Sequence, residues 1–406
     1  MNMLKFAAAS MLVLGAVSSA QAADKELHMI QCGGQDWGGS FAEKHIGEWE
    51  AANPGYKVNL EYLAWGQCQT KATTLAAAGN APALAYMGSR TLKQLSKNDL
   101  IIEITMSDAE KATYAAPILG TVTAGGKIWG APRAFSTKAL YWNKGLLKAA
   151  GYDGEKGPTT WGEMYEMASA IKEKTDADGI ALVAASFDNT MHQFMNYVYS
   201  NGGEVINADG EIVFNSPQVV EAMEFYGTKL ASVAQPGPIA YDKAKARPLF
   251  LAGKSGFLVG PYGDSARMKE VDGLEWAVGP MPHGPSGESG TLLITDSLAV
   301  FKGTGVEEQA VSLAKYLTNP KNQLEFEIAT GLTPLRASAE VDAMIATDPN
   351  WAPFIDIIPA GGPEPFATDY QGLQDAINDA IQSVVLGEAT AAEAVEAAAD
   401  ALEDVK

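Results

Sequence analysis

Six short segments of this sequence place an aromatic residue beside small polar residues, in stretches that read as loops. They are Gln35-Asp36-Trp37, Trp65-Gly66-Gln67, Phe135-Ser136-Thr137, Phe187-Asp188-Asn189, Pro261-Tyr262 and Asp369-Tyr370. An aromatic face packs well against the C–H face of a sugar ring, and hydroxyl, amide and carboxylate groups beside it hydrogen-bond the ring hydroxyls. The set therefore favours a binding site for a sugar or polyol, although each aromatic residue taken singly could equally pack a loop onto the core.

The sequence carries no strong catalytic, cofactor or metal signature. The motifs GxSxG, GxGxxG and HExxH do not occur. Gly253-Lys254-Ser255 resembles the end of a phosphate-binding loop, but residue 248 is Pro where that loop needs glycine. Four scattered histidines and two cysteines make no metal-ligand cluster. We therefore expect no cofactor, no metal and no enzymatic activity. An exported glycoside hydrolase or polysaccharide lyase is the competing class, because 49 acidic residues could always supply a carboxylate pair.

Length, composition and net charge limit the classes of protein to which this chain can belong. A chain of 406 residues that is 47% hydrophobic can bury a substantial core, and its length suggests two domains. The net charge of −20 repels phosphate backbones, so nucleic acid is not an expected partner.

The N-terminal residues 1–22 read as a secretory signal peptide. Lys5 supplies the positive start, residues 6–17 form an apolar run, and Ala20-Gln21-Ala22 is a small-x-small cleavage site. Cysteine is absent from that site, which argues against a lipid anchor, and no later stretch reaches about 18 apolar residues in a row. The expected location is the periplasm.

Alternating strand and helix patterns after the signal predict a largely parallel sheet covered by helices. The elements are strands 27–31 and 58–63 and helices 41–52 and 70–78. Ligands in such folds bind beyond the carboxyl ends of the strands, where the loop 32–40 lies. If the two strands are neighbours, Cys32 and Cys68 meet at the same end of the sheet and a disulfide is reasonable; two unpaired buried thiols are the alternative.

Later segments continue the same mixture of strands and helices. Thr160 and Glu163 predict a capping box at the start of a helix, and Ser216 before Pro217 predicts another helix start. The expected elements are strands 180–185 and 255–259, helices 161–174, 217–233 and 307–317, and two helices within 373–405 separated near Gly387.

Several stretches, in the expected order along the chain, resemble the extracellular solute-binding proteins of ABC importers, specifically the maltose-binding-protein-like family. Pro158-Thr-Thr-Trp-Gly-Glu163 is the most specific match. The others are residues 41–45, 51–58, 75–82, 126–132, 139–144, 249–254, 260–262 and 331–336. One departure is that Ala83-Leu84 follows Pro82, where the family usually has Asp-Val.

The resemblance implies an α/β fold of the two-lobed periplasmic-binding-protein type (type II), with mainly parallel sheets, flanking helices and a hinge of several chain crossings. Lobe one is expected to hold residues 24–134 and 295–332, and lobe two residues 139–290 and 337–406. A monomer of this kind captures a sugar, oligosaccharide or polyol in the cleft, closes by hinge bending and delivers the ligand to ABC permease subunits in the inner membrane.

The resemblance also assigns ligand-binding residues. They are Gln35, Asp36, Trp37, Ser89, Arg90, Arg133, Phe135, Ser136, Thr137, Asp188, Asn189, Tyr262, Arg336 and Tyr370. Asp36 and Ser136 are expected to bind hydroxyls, and Trp37 and Tyr262 to stack on the ring. The three arginines leave the ligand class open, because a guanidinium can fork onto a phosphate, sulfonate or uronate or can hold neutral hydroxyls. A neutral saccharide or polyol is favoured, with an anionic sugar derivative as the alternative.

Overall fold

The computed structural model describes residues 25–35, 37, 39–207, 209–365, 367 and 369–405. The expected signal peptide and the candidate ligand residue Asp36 lie outside the described residues. Across these described ranges, no helix combines the length and the apolar character needed to cross a bilayer.

Two main sheets organise the described chain. The strands are β1 Lys25–Cys32, β2 Tyr56–Leu63, β3 Leu84–Gly88, β4 Thr123–Ala124, β5 Lys127–Ile128, β6 Ala131–Ser136, β7 Ala139–Asn143, β8 Asp178–Ile180, β9 Ser255–Gly260, β10 Trp276–Gly279, β11 Thr291–Val300 and β12 Gly361–Pro363. The first sheet has the order β12-β11-β3-β1-β2, with β6 also paired to β11. The second sheet has the order β10-β7-β9-β8, and β4 and β5 form a separate small pair.

The strand directions confirm the α/β fold class, but they correct the expectation that the sheets are mainly parallel. β1 runs parallel to both β2 and β3, as the alternating pattern predicts. β11 is antiparallel to β3 and β6, and β7 is antiparallel to β9 and β10, so the sheets are mixed rather than mainly parallel. β7 and β11 enter their sheets directly from chain crossings instead of through a helical crossover, and they therefore run against their neighbours.

Helices cover both sheets, and local sequence signals set many of their ends. They are α1 Gly39–Ala52, α2 Trp65–Ala77, α3 Leu92–Lys97, α4 Asp108–Lys111, α5 Ala116–Val122, α6 Lys144–Ala150, α7 Trp161–Lys174, α8 Asp188–Tyr199, α9 Pro217–Met223, α10 Ala231–Val233, α11 Lys243–Leu251, α12 Gly263–Lys269, α13 Glu307–Leu317, α14 Pro320–Thr330, α15 Ala339–Thr347, α16 Ala352–Ile355, α17 Tyr370–Leu386 and α18 Ala391–Glu403. Thr160 and Glu163 form the predicted capping box of α7. A π-helical stretch, Glu224–Leu230, joins α9 to α10 as one continuous helix.

The strand predicted over residues 180–185 is the clearest error of element length. Only Asp178–Ile180 pairs as β8. Beyond it, the Leu182 N–H donates to Gln235 Oε1 at 2.9 Å, and Gln235 Nε2 donates back to the Leu182 carbonyl at 2.6 Å. A buried side-chain amide thus takes the place of a neighbouring strand.

Each main sheet has its own hydrophobic core. One cluster surrounds the first sheet and includes Trp49 and Phe301; we call this part lobe one. The second sheet is packed on both faces, because Leu140 of β7 faces one cluster and Tyr141 faces another; we call this part lobe two. The chain passes between the lobes at residues 137–138, again at the start of β11, and again beyond α14.

Candidate functional site: a cavity between the lobes

A cavity of about 280 Å³ lies between the two lobes. Its lobe-one wall comes from Trp37, Trp65, Thr330, Gly331 and Leu332. Its lobe-two wall comes from Asn189, His192, Gln193, Lys243, Arg247, Pro261, Gly263, Asp264 and Arg267. Ser136, Lys138 and Ile294, beside the chain crossings, complete the lining. A volume near the lower end of ordinary ligand pockets suits a solute of about monosaccharide size.

Two tryptophans form the aromatic part of the lobe-one wall. The ring centroids of Trp37 and Trp65 are 4.9 Å apart, with their planes inclined by 68°. Both rings also contact the buried ring of Tyr86 edge-on, which fixes their orientation. Trp65 remains 42% exposed and presents a large apolar surface next to the cavity.

The segments that carry these tryptophans are joined covalently. Cys32 at the end of β1 and Cys68 in the first turns of α2 form a disulfide, with their Cα atoms 5.4 Å apart. Gly33 has φ of +96°, and a Cβ at that position would lie 2.8 Å from the Trp37 ring and 3.2 Å from the Trp65 ring. The backbone therefore passes close beneath both rings at a point where only glycine fits.

Basic side chains dominate the lobe-two wall. Lys243 and Arg247 lie one turn apart on α11, and Arg267 lies on α12. All three approach the buried carboxylate of Asp264: Lys243 Nζ at 2.7 Å, Arg247 Nε at 2.9 Å and Arg267 Nη1 at 3.8 Å. Burial lowers the pKa of Lys243, although Asp264 acts to raise it. This group of three cations around one carboxylate is called the basic wall below.

A fourth cation, Lys138, lies beside the chain crossing. Its ammonium group donates to the Ser136 hydroxyl. Burial, together with repulsion from Lys243, lowers the pKa of Lys138 to about 7. Ser136 lines the cavity, as expected, but its hydroxyl oxygen already accepts a hydrogen bond from Lys138.

An ion cluster next to the cavity connects the two lobes. Arg90 of lobe one donates to Asp188 of α8 at 3.0 Å, and to Asp296 and Glu364 at 3.3 Å each. His192 Nε2 lies 2.6 Å from Glu364 and 3.0 Å from Asp188. We call these five residues the inter-lobe ion cluster.

Titration in the inter-lobe ion cluster follows from burial and mutual charge. Burial acts to lower the pKa of His192, but Asp188 and Glu364 raise it to about 9. Burial raises the pKa of Asp296 to about 6, and Arg90 opposes that shift. His192 is consequently held as a cation at neutral pH, and the cluster then contains two positive and three negative groups.

The candidate ligand residues divide between three environments. Trp37, Ser136 and Asn189 line the cavity. Arg90, Asp188 and Tyr370 belong to or touch the inter-lobe ion cluster, since the Tyr370 hydroxyl donates to Asp188 at 3.1 Å. The remaining described candidates are occupied by contacts with the protein itself: Gln35, Ser89, Arg133, Phe135, Thr137, Tyr262 and Arg336.

The structure does not bring the other two arginines, Arg133 and Arg336, to the cavity. Arg133 is buried against the Phe326 ring and donates to the Leu317 carbonyl at 2.6 Å. Arg336 packs over the Tyr114 ring and donates to the Thr318 carbonyl at 2.9 Å. Both guanidinium groups are held inside lobe one. Whether the ligand is neutral or anionic therefore depends on other cations.

Two more candidates are placed differently from the expectation. The Tyr262 ring, expected to stack on the ligand, stacks on Trp351 with centroids 3.3 Å apart, and its hydroxyl bonds to Asp348. The Thr137 hydroxyl donates to the Phe354 carbonyl at 2.7 Å. These contacts connect the chain crossing at residues 137–138 and the start of α12 to the helices near residues 349–355.

The basic wall and Lys138 were not among the residues singled out from sequence. The spacing of Lys243 and Arg247 places both on one helix face, and Asp264 with Arg267 repeats this on α12. That signal is common on solvated helices, and only the ion pairs from α11 to Asp264 of α12 distinguish this case.

Known proteins resemble the chain over most of its length. Residues 44–353 match the sequence model of a family described as bacterial extracellular solute-binding protein. A binding protein of Brucella abortus (strain 2308) is 26% identical over 385 residues, which cover 93% of this chain and 92% of that protein. The sn-glycerol-3-phosphate-binding periplasmic protein of Shigella flexneri is 24% identical over 316 residues, 71% of this chain and 69% of that protein. A maltose-bound binding protein of T. maritima superposes with a TM-score of 0.78 at 23% identity, covering 93% of this chain and 99% of that one. The two-lobed fold expected from the sequence is thereby confirmed.

Proposed function

Because this chain belongs to the bacterial extracellular solute-binding protein family and is the solute-binding component of an ABC importer, we propose that it binds one sugar or polyol of about monosaccharide size between its lobes. The cavity is the observation that carries this assignment. Both lobes contribute to it, one with an exposed aromatic surface at Trp65 and the other with the amide side chains of Asn189 and Gln193. One atom of each amide bonds to the protein itself: Asn189 Oδ1 accepts from the Lys243 N–H, and Gln193 Nε2 donates to the Val259 carbonyl. A polyhydroxylated ligand uses both kinds of surface at once.

The location and mode of action are part of the same proposal. Residues 1–22 act as a signal peptide, and the protein works in the periplasm as a monomer. Lobe one comprises residues 24–134 and 295–332, and lobe two comprises residues 139–290 and 337–406, apart from β12, which pairs with β11 in the lobe-one sheet. The lobes close on the solute by hinge bending, and the closed form delivers it to the permease subunits.

The cavity chemistry favours binding over hydrolysis. Among the described lining residues Asp264 is the only carboxylate, and Lys243 and Arg247 already hold it. Glycoside hydrolysis ordinarily needs two carboxyl groups that flank the scissile bond. We therefore propose that the solute is released chemically unchanged.

Thermal unfolding with a solute panel tests this function. The panel contains monosaccharides, disaccharides, polyols and their acidic derivatives, and a ligand at about 100 times its Kd should stabilise the protein by about 2.7 kcal/mol. That corresponds to a melting-temperature increase of at least about 2 °C, with the compound recovered intact. Conversion of a compound during the assay would contradict the proposal in favour of an enzyme, and no shift with any compound would contradict it altogether.

A pair of substitutions locates the site. Trp65→Ala should weaken binding of the identified solute about fivefold, because it removes the stacking surface. Leu386→Ala is the matched control, since Leu386 is a similarly exposed apolar residue at the end of α17 and is absent from the cavity lining. Equal effects of the two substitutions would place the solute elsewhere.

A further inference from the structure

The charges around the cavity are strongly unequal. Among the described lining residues, Lys138, Lys243, Arg247 and Arg267 are basic, and Asp264 is the single carboxylate. His192 also lines the cavity, but it is held between Asp188 and Glu364. When Lys138 is protonated, the cavity lining and the whole inter-lobe ion cluster together carry six positive groups and four carboxylates.

Part of the excess charge is poorly solvated, whereas the Arg267 side chain is half exposed. Lys138, Lys243 and Asp264 are 9%, 8% and 1% exposed. Buried charges are costly unless each is paired and hydrogen-bonded. One carboxylate with two oxygens cannot pair fully with three cations, and Lys138 has a neutral hydroxyl as its hydrogen-bond acceptor.

Arg247 offers the most specific anchor. Its Nε faces Asp264, and within the described part of the chain no hydrogen bond engages its two terminal nitrogens. Those nitrogens form the fork that binds a carboxylate or phosphate with two parallel hydrogen bonds. Lys243, one turn earlier on α11, lies beside it on the same wall.

We propose that the solute is an anionic sugar or polyol whose carboxylate or phosphate binds the basic wall and Lys138, while its carbon frame contacts Trp37 and Trp65. This inference rests on the proposed function and specifies the substrate class of the same cavity. A neutral sugar would leave the excess cations buried without counter-ions when the lobes close, whereas an anion neutralises part of that charge.

Matched neutral and anionic compounds test the substrate class. Thermal unfolding is measured with D-glucose, D-glucuronate and D-glucose 6-phosphate, with D-sorbitol and D-gluconate, and with inorganic phosphate, at constant ionic strength and pH 6.5. Anionic members should raise the melting temperature at concentrations about tenfold lower than their neutral counterparts. Inorganic phosphate should give a weaker, saturable increase, because it reaches the basic wall without the tryptophans.

Variants assign the effect to named residues. Arg247→Gln should weaken binding of the anionic members by about tenfold or more, Arg247→Lys should restore part of it, and neutral members should be unaffected. Lys148→Gln is the control, because Lys148 is an exposed cation on α6, paired with Glu275.

The outcomes separate this inference from the general function. Tighter binding of a neutral member than of its anionic counterpart, or no loss in Arg247→Gln, would overturn the anionic class and leave the solute-binding function standing. No anion-specific shift anywhere in the series, inorganic phosphate included, would overturn it as well. Stabilisation by inorganic phosphate alone, with no response to any sugar or polyol, would keep the basic wall as an anion site and count against the proposed polyhydroxylated solute.

Discussion

At the scale of single residues, we expect Lys138 to control the response of the site to pH. Its ammonium group sits among Lys243, Asp264, Asp296 and Glu364, and burial with the charge of Lys243 brings its pKa to about 7. Below that pH the side chain is a cation that attracts an anionic solute, and above it the side chain is neutral.

The affinity for an anionic solute should therefore fall as the pH rises from 6.5 to 8.5, by up to about tenfold per pH unit. Isothermal titration calorimetry across this pH range measures how steeply the affinity changes with pH. Lys138→Met should bind more weakly at pH 6.5 and show little pH dependence, since it cannot lose a proton. An unchanged slope in Lys138→Met would assign the titration to another group, with Asp296 the next to examine because its pKa is about 6.

At the scale of elements, the Cys32–Cys68 disulfide connects the end of β1 to α2 across a sequence separation of 36 residues. Closing a loop of that length in the unfolded chain corresponds to about 4 kcal/mol of stability. The same bond keeps the Trp37 and Trp65 segments together, so its effect should extend to solute binding.

The double variant Cys32→Ser with Cys68→Ser should lose about 4 kcal/mol of unfolding free energy in urea titration. It should also bind the solute more weakly than the wild type at a temperature where both are folded. Wild-type protein with and without a reductant provides the matched comparison. A stability equal to that of the oxidised wild type would show that the loop is already held by other contacts.

The helices and strands also show how much of the fold can be predicted from the sequence alone. The sequence predicts the ends of α7 and α13 correctly, because the capping box of α7 and the apolar spacing of both helices are local properties. β8 was predicted too long, because the pairing of Leu182 with the Gln235 side chain depends on a residue far along the chain. Likewise, the basic wall arises only where α11 meets α12, and the sequence contained its cations without indicating that they converge.

At the scale of the whole molecule, the inter-lobe ion cluster joins the two lobes, and we expect it to favour their closed arrangement. Arg90 of lobe one is the shared partner of Asp188, Asp296 and Glu364. Removing it would leave three carboxylates close together with only His192 to balance them, and an uncompensated buried charge costs about 3–5 kcal/mol.

Arg90→Gln should thus favour a more open arrangement and reduce solute affinity by about a hundredfold, with a larger radius of gyration in small-angle X-ray scattering. Arg336→Gln is the matched control, because Arg336 makes its contacts with Thr113, Tyr114 and Thr318 within lobe one. Unchanged scattering and affinity in Arg90→Gln would mean that the cluster does not hold the lobes together.

The tryptophan pair gives the protein an optical reporter of its own. Indole emission depends on solvent, and Trp65 is the more exposed of two rings whose centroids lie only 4.9 Å apart. A solute that covers Trp65 removes water from its surface, so the emission maximum should move to shorter wavelength as the cavity fills. Titrations can then be followed by intrinsic fluorescence without any label, and Trp65→Phe identifies the share of the signal that originates at this wall.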